Sequence, residues 1–83
     1  MHSIKSIVVD DELFGREQVK SQLKKYFPQI NVVAEATNGK EAIQLIHFHK
    51  PDLVFLDIEM PHKTGFDVLE GLHEPDIEVI FIT

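Results

Sequence analysis

The sequence predicts an α/β domain built as a doubly wound parallel sheet. Short β-branched or wholly apolar runs alternate with amphipathic stretches in the order βαβαβαβ, and the connections are too long for hairpins. Such alternation implies a mainly parallel sheet with helices on both faces. A third observation concerns charge: acidic residues close the first and third apolar runs, at Asp10-Asp11 and Asp57.

Each element follows from local pattern. Ile4 to Val9 is a β-branched run, hence a strand. Leu13 to Phe27 carries Val19, Leu23 and Phe27 at spacing four, one face of a helix that Pro28 ends. Ile30 to Ala36 sets Val32, Ala34 and Ala36 against Asn31, Val33 and Glu35, a strand with one face less buried, which suits a sheet edge. Asn38, with Glu41 three residues on, caps a helix from Gly39 to about Lys50, whose Ala42, Leu45, Ile46 and His49 share a face before Pro51 stops it. Leu53 to Leu56 is uniformly apolar. Thr64 with Asp67 caps a third helix through Leu72, and Ile77 to Ile82 is an almost wholly apolar strand with the pattern of a central one.

Right-handed crossovers fix most of the topology, and in doubly wound sheets of the flavodoxin-like kind the strand order is 2-1-3-4. The first and third strands are then neighbours, and the ligand crevice lies at their carboxyl ends. "FLDIEMP" (55–61) runs an apolar strand straight into Asp57, which is costly unless charge or hydrogen bonds meet the carboxylate. With strands about 4.8 Å apart, Asp10, Asp11 and Asp57 converge on one pocket. Like charges so close discourage joint ionisation. A hard divalent cation removes that penalty, and Mg²⁺ takes one or two carboxylates plus a phosphate oxygen. The pattern points to an acidic Mg²⁺ pocket in which Asp57 faces an incoming phosphoryl group, and an aspartate can act as the nucleophile in such a transfer.

Composition bounds the rest. At 83 residues the chain is one domain at most, and its lack of cysteine excludes a disulfide framework and thiolate chemistry. A net charge of -6 argues against direct nucleic-acid binding by this segment. No run approaches the roughly 18 apolar residues of a membrane span, and Met1 to Lys5 lacks a signal-peptide pattern, so the expected location is the cytoplasm.

Plainer readings stand beside these. Asp11 and Glu12 also suit the first turn of a helix, and Glu12 is read that way. Asp57 alone also fits a turn before a helix; its pairing with Asp10 and Asp11 tells against that. The five histidines lack metal-ligand spacing, Met60 reads as packing, and Gly15 inside the first helix suggests only close packing. A dinucleotide site fails because DDELFG is not a glycine-rich phosphate loop. An aspartyl phosphatase is disfavoured because Glu59 stands where a second aspartate is usual.

"IVVDDE" (7–12), "PDLVFLDIEMPHKTGFDVLEGL" (51–72) and "VIFIT" (79–83), in this order, resemble the receiver domain of bacterial two-component response regulators. The resemblance implies that Asp57 is the phosphoacceptor, that Asp10 and Asp11 hold Mg²⁺, and that Glu59 offers its backbone carbonyl to the metal. It implies that Thr83 contacts the phosphoryl group as a switch, and that Pro61 and Gly65 shape the loop after the third strand. It further implies a sensor histidine kinase as partner, and a phosphoacceptor that assists its own transfer rather than a turnover enzyme. "DDELFGREQVK", "FLDIEMP" and "VIFIT" look most like receivers of the LytTR type, which implies a separate DNA-binding output domain. Measured against the family, the resemblance implies that residues 1–83 are an incomplete receiver, with the fifth strand, its lysine and the last two helices expected beyond them. The alternative expectation is therefore a phosphorylation-incompetent interaction module, with a homodimer or swapped assembly expected of the fragment.

Overall fold

The computed structural model of the chain describes residues 3–58 and 77–82. Four strands, β1 (Ile4–Val9), β2 (Ile30–Ala36), β3 (Leu53–Asp57) and β4 (Glu78–Ile82), form one parallel sheet of order β2-β1-β3-β4. The expected α/β topology and strand order are observed. Helices α1 (Leu13–Tyr26) and α2 (Gly39–His49) cover opposite faces. The expected helix capped by Thr64 and Asp67 lies outside the described residues, as do Glu59, Pro61, Gly65 and Thr83.

The larger core lies on the α2 face, where Ala42 and Ile46 of α2 pack on Ile7, Val9, Ala36, Val54 and Leu56. Burying a side chain such as Ile46 contributes about 1.5–3 kcal/mol. On the α1 face Leu23 packs with Val8 and Phe55, and Val19, Ile30, Val32 and Leu53 flank them. Because the side-chain period of a strand is two, β1 and β3 serve both cores with alternate residues.

The helix ends follow from sequence chemistry. The Asn38 side chain accepts a hydrogen bond from the Glu41 amide at 2.8 Å, and the Glu41 carboxylate accepts one from the Thr37 amide at 2.9 Å. The return bond thus goes to the residue before the cap rather than to the cap itself. Lys50 closes α2 in the left-handed region (φ 49°), where its amide reaches the Ile46 carbonyl at 2.9 Å. Pro51 next to it disfavours continuing the helix. α1 ends one residue earlier than the periodicity predicts: Phe27 is its C-cap and is 50% exposed, so it does not extend the Val19-Leu23 stripe into the core.

β2 departs from the simple alternation expected of it. Ser6 pairs with Val32 and Ile7 with Ala34, so Val33 is an extra residue on β2. Ile30 and Val32 pack toward the α1 core, whereas Val33, Ala34 and Ala36 pack toward the α2 core. Val32 therefore does not share a face with Ala34 and Ala36. β4 departs too: Ile77 and Val79 pack on the α2-face core, but Ile80 and Phe81 are exposed.

Candidate functional site

The carboxyl ends of β1 and β3 lie side by side because Val9 is in register with Leu56. Asp10 follows β1 directly, Asp57 is the last residue of β3, and Asp11 lies on the loop into α1. One carboxylate oxygen from each of Asp10, Asp11 and Asp57 lies within 4.8 Å of the others. Tertiary structure thus brings Asp57 to an adjacent pair, Asp10 and Asp11, from which the sequence separates it by more than forty residues.

The β1–α1 corner is tightly held. The Asp10 amide donates to the Ala36 carbonyl at 3.1 Å, tying the end of β1 to β2. Asp10 Oδ1 accepts from the Glu12 amide at 3.0 Å, which satisfies a free donor at the start of α1. Glu12 is the N-cap itself, one residue before the first turn in which its plain reading places it, and makes no side-chain cap bond; the first turn of α1 holds no acid. Asp10 is 9% exposed, while Asp57 is half-buried.

Two features of this corner are not evident in the motif. Gly15 lies against Asp10: a Cβ there would collide with Asp10 Oδ2 and come within 2.9 Å of its Cγ. The glycine that looked costly in a helix makes room for the buried carboxylate. Arg16, one residue on, donates from Nη1 to the Asp10 carbonyl at 2.9 Å and from Nε to Glu35 at 3.1 Å. Glu35 also accepts from Lys20 at 2.9 Å, and Lys20 pairs with Glu17 at 3.1 Å. Hydrogen bonding from Lys20 holds the Glu35 carboxyl below its ordinary 4.5; partial burial opposes this and Arg16 reinforces it. Bonds to Glu35 and then to Glu17 raise Lys20 above its ordinary value. The signal for Arg16 and Glu35 in the sequence was a lone acid inside an apolar strand, for which a basic partner is expected.

A cluster of hard oxygen donors of this size suits Mg²⁺ rather than a softer metal. The cluster also sits where open parallel sheets place their ligand crevice.

The response regulator receiver domain family matches residues 7–83. The chain belongs to that family. This receiver shares 40% identity over 80 residues with an uncharacterised response regulatory protein of Vibrio cholerae, covering 94% of this chain and 31% of that one. It shares 50% identity over 69 residues with a protein-glutamate methylesterase/protein-glutamine glutaminase of Oleidesulfovibrio alaskensis, 83% of this chain and 18% of the relative. It superposes on the response regulator domain of Thermotoga maritima CheB with a TM-score of 0.86 at 33% identity, over 96% of this chain and 60% of that one. A CheX-CheY-BeF3-Mg²⁺ complex from Borrelia burgdorferi matches with a TM-score of 0.84 at 28% identity, over 96% of this chain and 61% of that one. The receiver therefore spans about a third or less of these two curated relatives. Its family places it in two-component phosphorelay signalling, in which receivers interact with histidine kinases and output domains. Among the described residues no helix is long and apolar enough to cross a membrane.

Proposed function

We propose that this receiver accepts a phosphoryl group from a histidine kinase onto Asp57, with Mg²⁺ held by Asp10, Asp11 and Asp57. The observation that carries the reading is the convergence of these three carboxylates within 4.8 Å at the carboxyl ends of β1 and β3. The relative crystallised with Mg²⁺ supports the choice of metal. When bound, the ion supplies positive charge that offsets the acids and the phosphoryl oxygens. A carboxylate oxygen of Asp57 attacks phosphorus, the P–N bond to the donor histidine breaks, and the bonding pair leaves with the imidazole nitrogen, which takes up a proton. By their places in the motif, Glu59 offers a backbone carbonyl to the metal and Thr83 a hydroxyl to the phosphoryl group. The domain acts as a phosphoacceptor that assists its own transfer, not as a turnover enzyme.

The added charge then alters the receiver's surface for an output segment in the cytoplasm. For the output we propose a DNA-binding segment of the LytTR type, which rests on the likeness of "DDELFGREQVK", "FLDIEMP" and "VIFIT". A full-length reading frame that carries a methylesterase segment instead overturns that part alone.

The central test uses the full-length protein with Mg²⁺ and acetyl phosphate, where attack by Asp57 breaks the P–O bond and releases acetate. One phosphoryl adduct is expected by mass, absent in Asp57→Asn and absent when Mg²⁺ is chelated. An adduct that survives Asp57→Asn overturns the assignment. A protein that takes no phosphoryl group yet still associates with its partners supports the interaction-module alternative.

A further inference from the structure

We propose that Arg16, held in place by Glu35, is a positioning residue for the acidic pocket, an inference that rests on the metal reading of Asp10, Asp11 and Asp57. Its guanidinium spans two partners at once, donating Nη1 to the Asp10 carbonyl at 2.9 Å and Nε to Glu35 at 3.1 Å. The Asp10 carbonyl belongs to the peptide group that joins Asp10 to Asp11. A hydrogen bond there fixes the plane of that peptide, and with it the direction in which the Asp11 side chain leaves the backbone. The Asp10 amide is already tied to Ala36, so the Arg16 bond anchors the other side of the residue.

Glu35 reaches Arg16 only because of the extra residue in β2. With strict alternation Glu35 would share a face with Val33, which packs toward α2; the extra residue turns it toward α1 instead. A bulge that re-aims one side chain is a recognised device beside functional sites. The Arg16 side chain is 13% exposed and Glu35 is 32% exposed, so water screens this pair less than an open surface pair. A planar fork can hold both partners, whereas a lysine ammonium on a flexible stem cannot reproduce that geometry.

The sign of the effect separates positioning from simple electrostatics. Arg16 is a cation near a proposed cation site, so Coulomb repulsion alone predicts that removing it tightens Mg²⁺ binding. Positioning predicts the opposite.

The test is a Mg²⁺ titration of the full-length protein and four variants, each with its melting temperature. In Arg16→Met, which keeps the apolar stem, the Mg²⁺ Kd is expected to rise three- to tenfold. Arg16→Lys is expected to fall between Arg16→Met and the unaltered protein. Lys20→Met loses the other ion pair of Glu35 but does not touch Asp10, and is expected to stay within twofold or bind more tightly. Unchanged or tighter binding by Arg16→Met overturns the inference. Equal weakening in Arg16→Met and Lys20→Met, in step with lost thermal stability, overturns it in favour of a purely structural ion pair. Should Arg16→Met not fold, Arg16→Lys decides: at least twofold weaker binding supports positioning, and unchanged binding overturns it. If the unaltered protein binds no Mg²⁺, or Asp11→Asn binds it equally well, the metal reading itself fails and the inference with it.

Discussion

A methyl group on Gly15 would meet the carboxylate of Asp10 head on. Ala is favoured over Gly in a helix interior by about 1 kcal/mol, so on propensity alone Gly15→Ala should stabilise α1. Against that, the Asp10 carboxylate would have to swing away and leave the Glu12 amide, costing about 1 kcal/mol for the lost bond. The two effects nearly cancel in stability, but they do not cancel at the site. The expected result for Gly15→Ala is a melting free energy within about 1 kcal/mol of the unaltered protein, together with a clear shift of the Glu12 amide resonance and a several-fold change in Mg²⁺ affinity. An unmoved Glu12 amide would show that the glycine is not there for Asp10.

At the scale of the element, β2 carries the most informative irregularity. Val33 is the residue without a partner in the Ser6–Val32, Ile7–Ala34 register. Removing it leaves every other residue of β2 on its present face: Ala34 and Ala36 toward α2, Glu35 toward α1. Deletion of Val33 is therefore expected to give a folded protein that loses only the contacts of one half-buried valine, about 1–3 kcal/mol by chemical denaturation. If β2 were a regular strand with Glu35 already opposite α1, the deletion would carry Glu35 to the apolar α2 face and prevent folding. An unfolded deletion variant would thus refute the extra-residue description. The local pairing also explains why β2 tolerates an acid: Arg16 and Lys20 meet Glu35 from α1.

For the whole molecule the acidic pocket sets a balance between stability and binding. Three carboxylates brought together on folding repel one another, and an ion that binds the folded chain alone offsets that repulsion. Mg²⁺ at a hundred times its Kd should stabilise the fold by about 2.7 kcal/mol. For a domain of 60–100 residues that raises the melting temperature by roughly 10–20 °C. Asp11→Ala is expected to melt above the unaltered protein without Mg²⁺ and to lose most of the Mg²⁺-dependent increase. Thermal melts with and without the ion check both halves, and an equal response of the two proteins to Mg²⁺ would place the metal elsewhere.

The sequence by itself determined the elements and their order. β-branched runs, the Asn38 cap and the stops at Pro28 and Pro51 act locally, so β1, β2, α1 and α2 are legible to within a residue at their ends. The regularity of parallel crossovers also made the order β2-β1-β3-β4 readable, and with it the meeting of Asp10 and Asp11 with Asp57. Only the tertiary structure decided which face each residue of β2 serves, because one extra residue reverses the alternation and no local pattern marks where it falls. The same holds for Phe27, whose spacing suits the core stripe of α1 but whose position past the last turn leaves it in solvent. Gly15 and Arg16 owe their roles to distances between chain segments: the room Asp10 needs beside α1, and the reach from α1 to both the end of β1 and Glu35 on β2. Such roles depend on how α1 packs on the sheet, which the pattern of one chain segment does not encode.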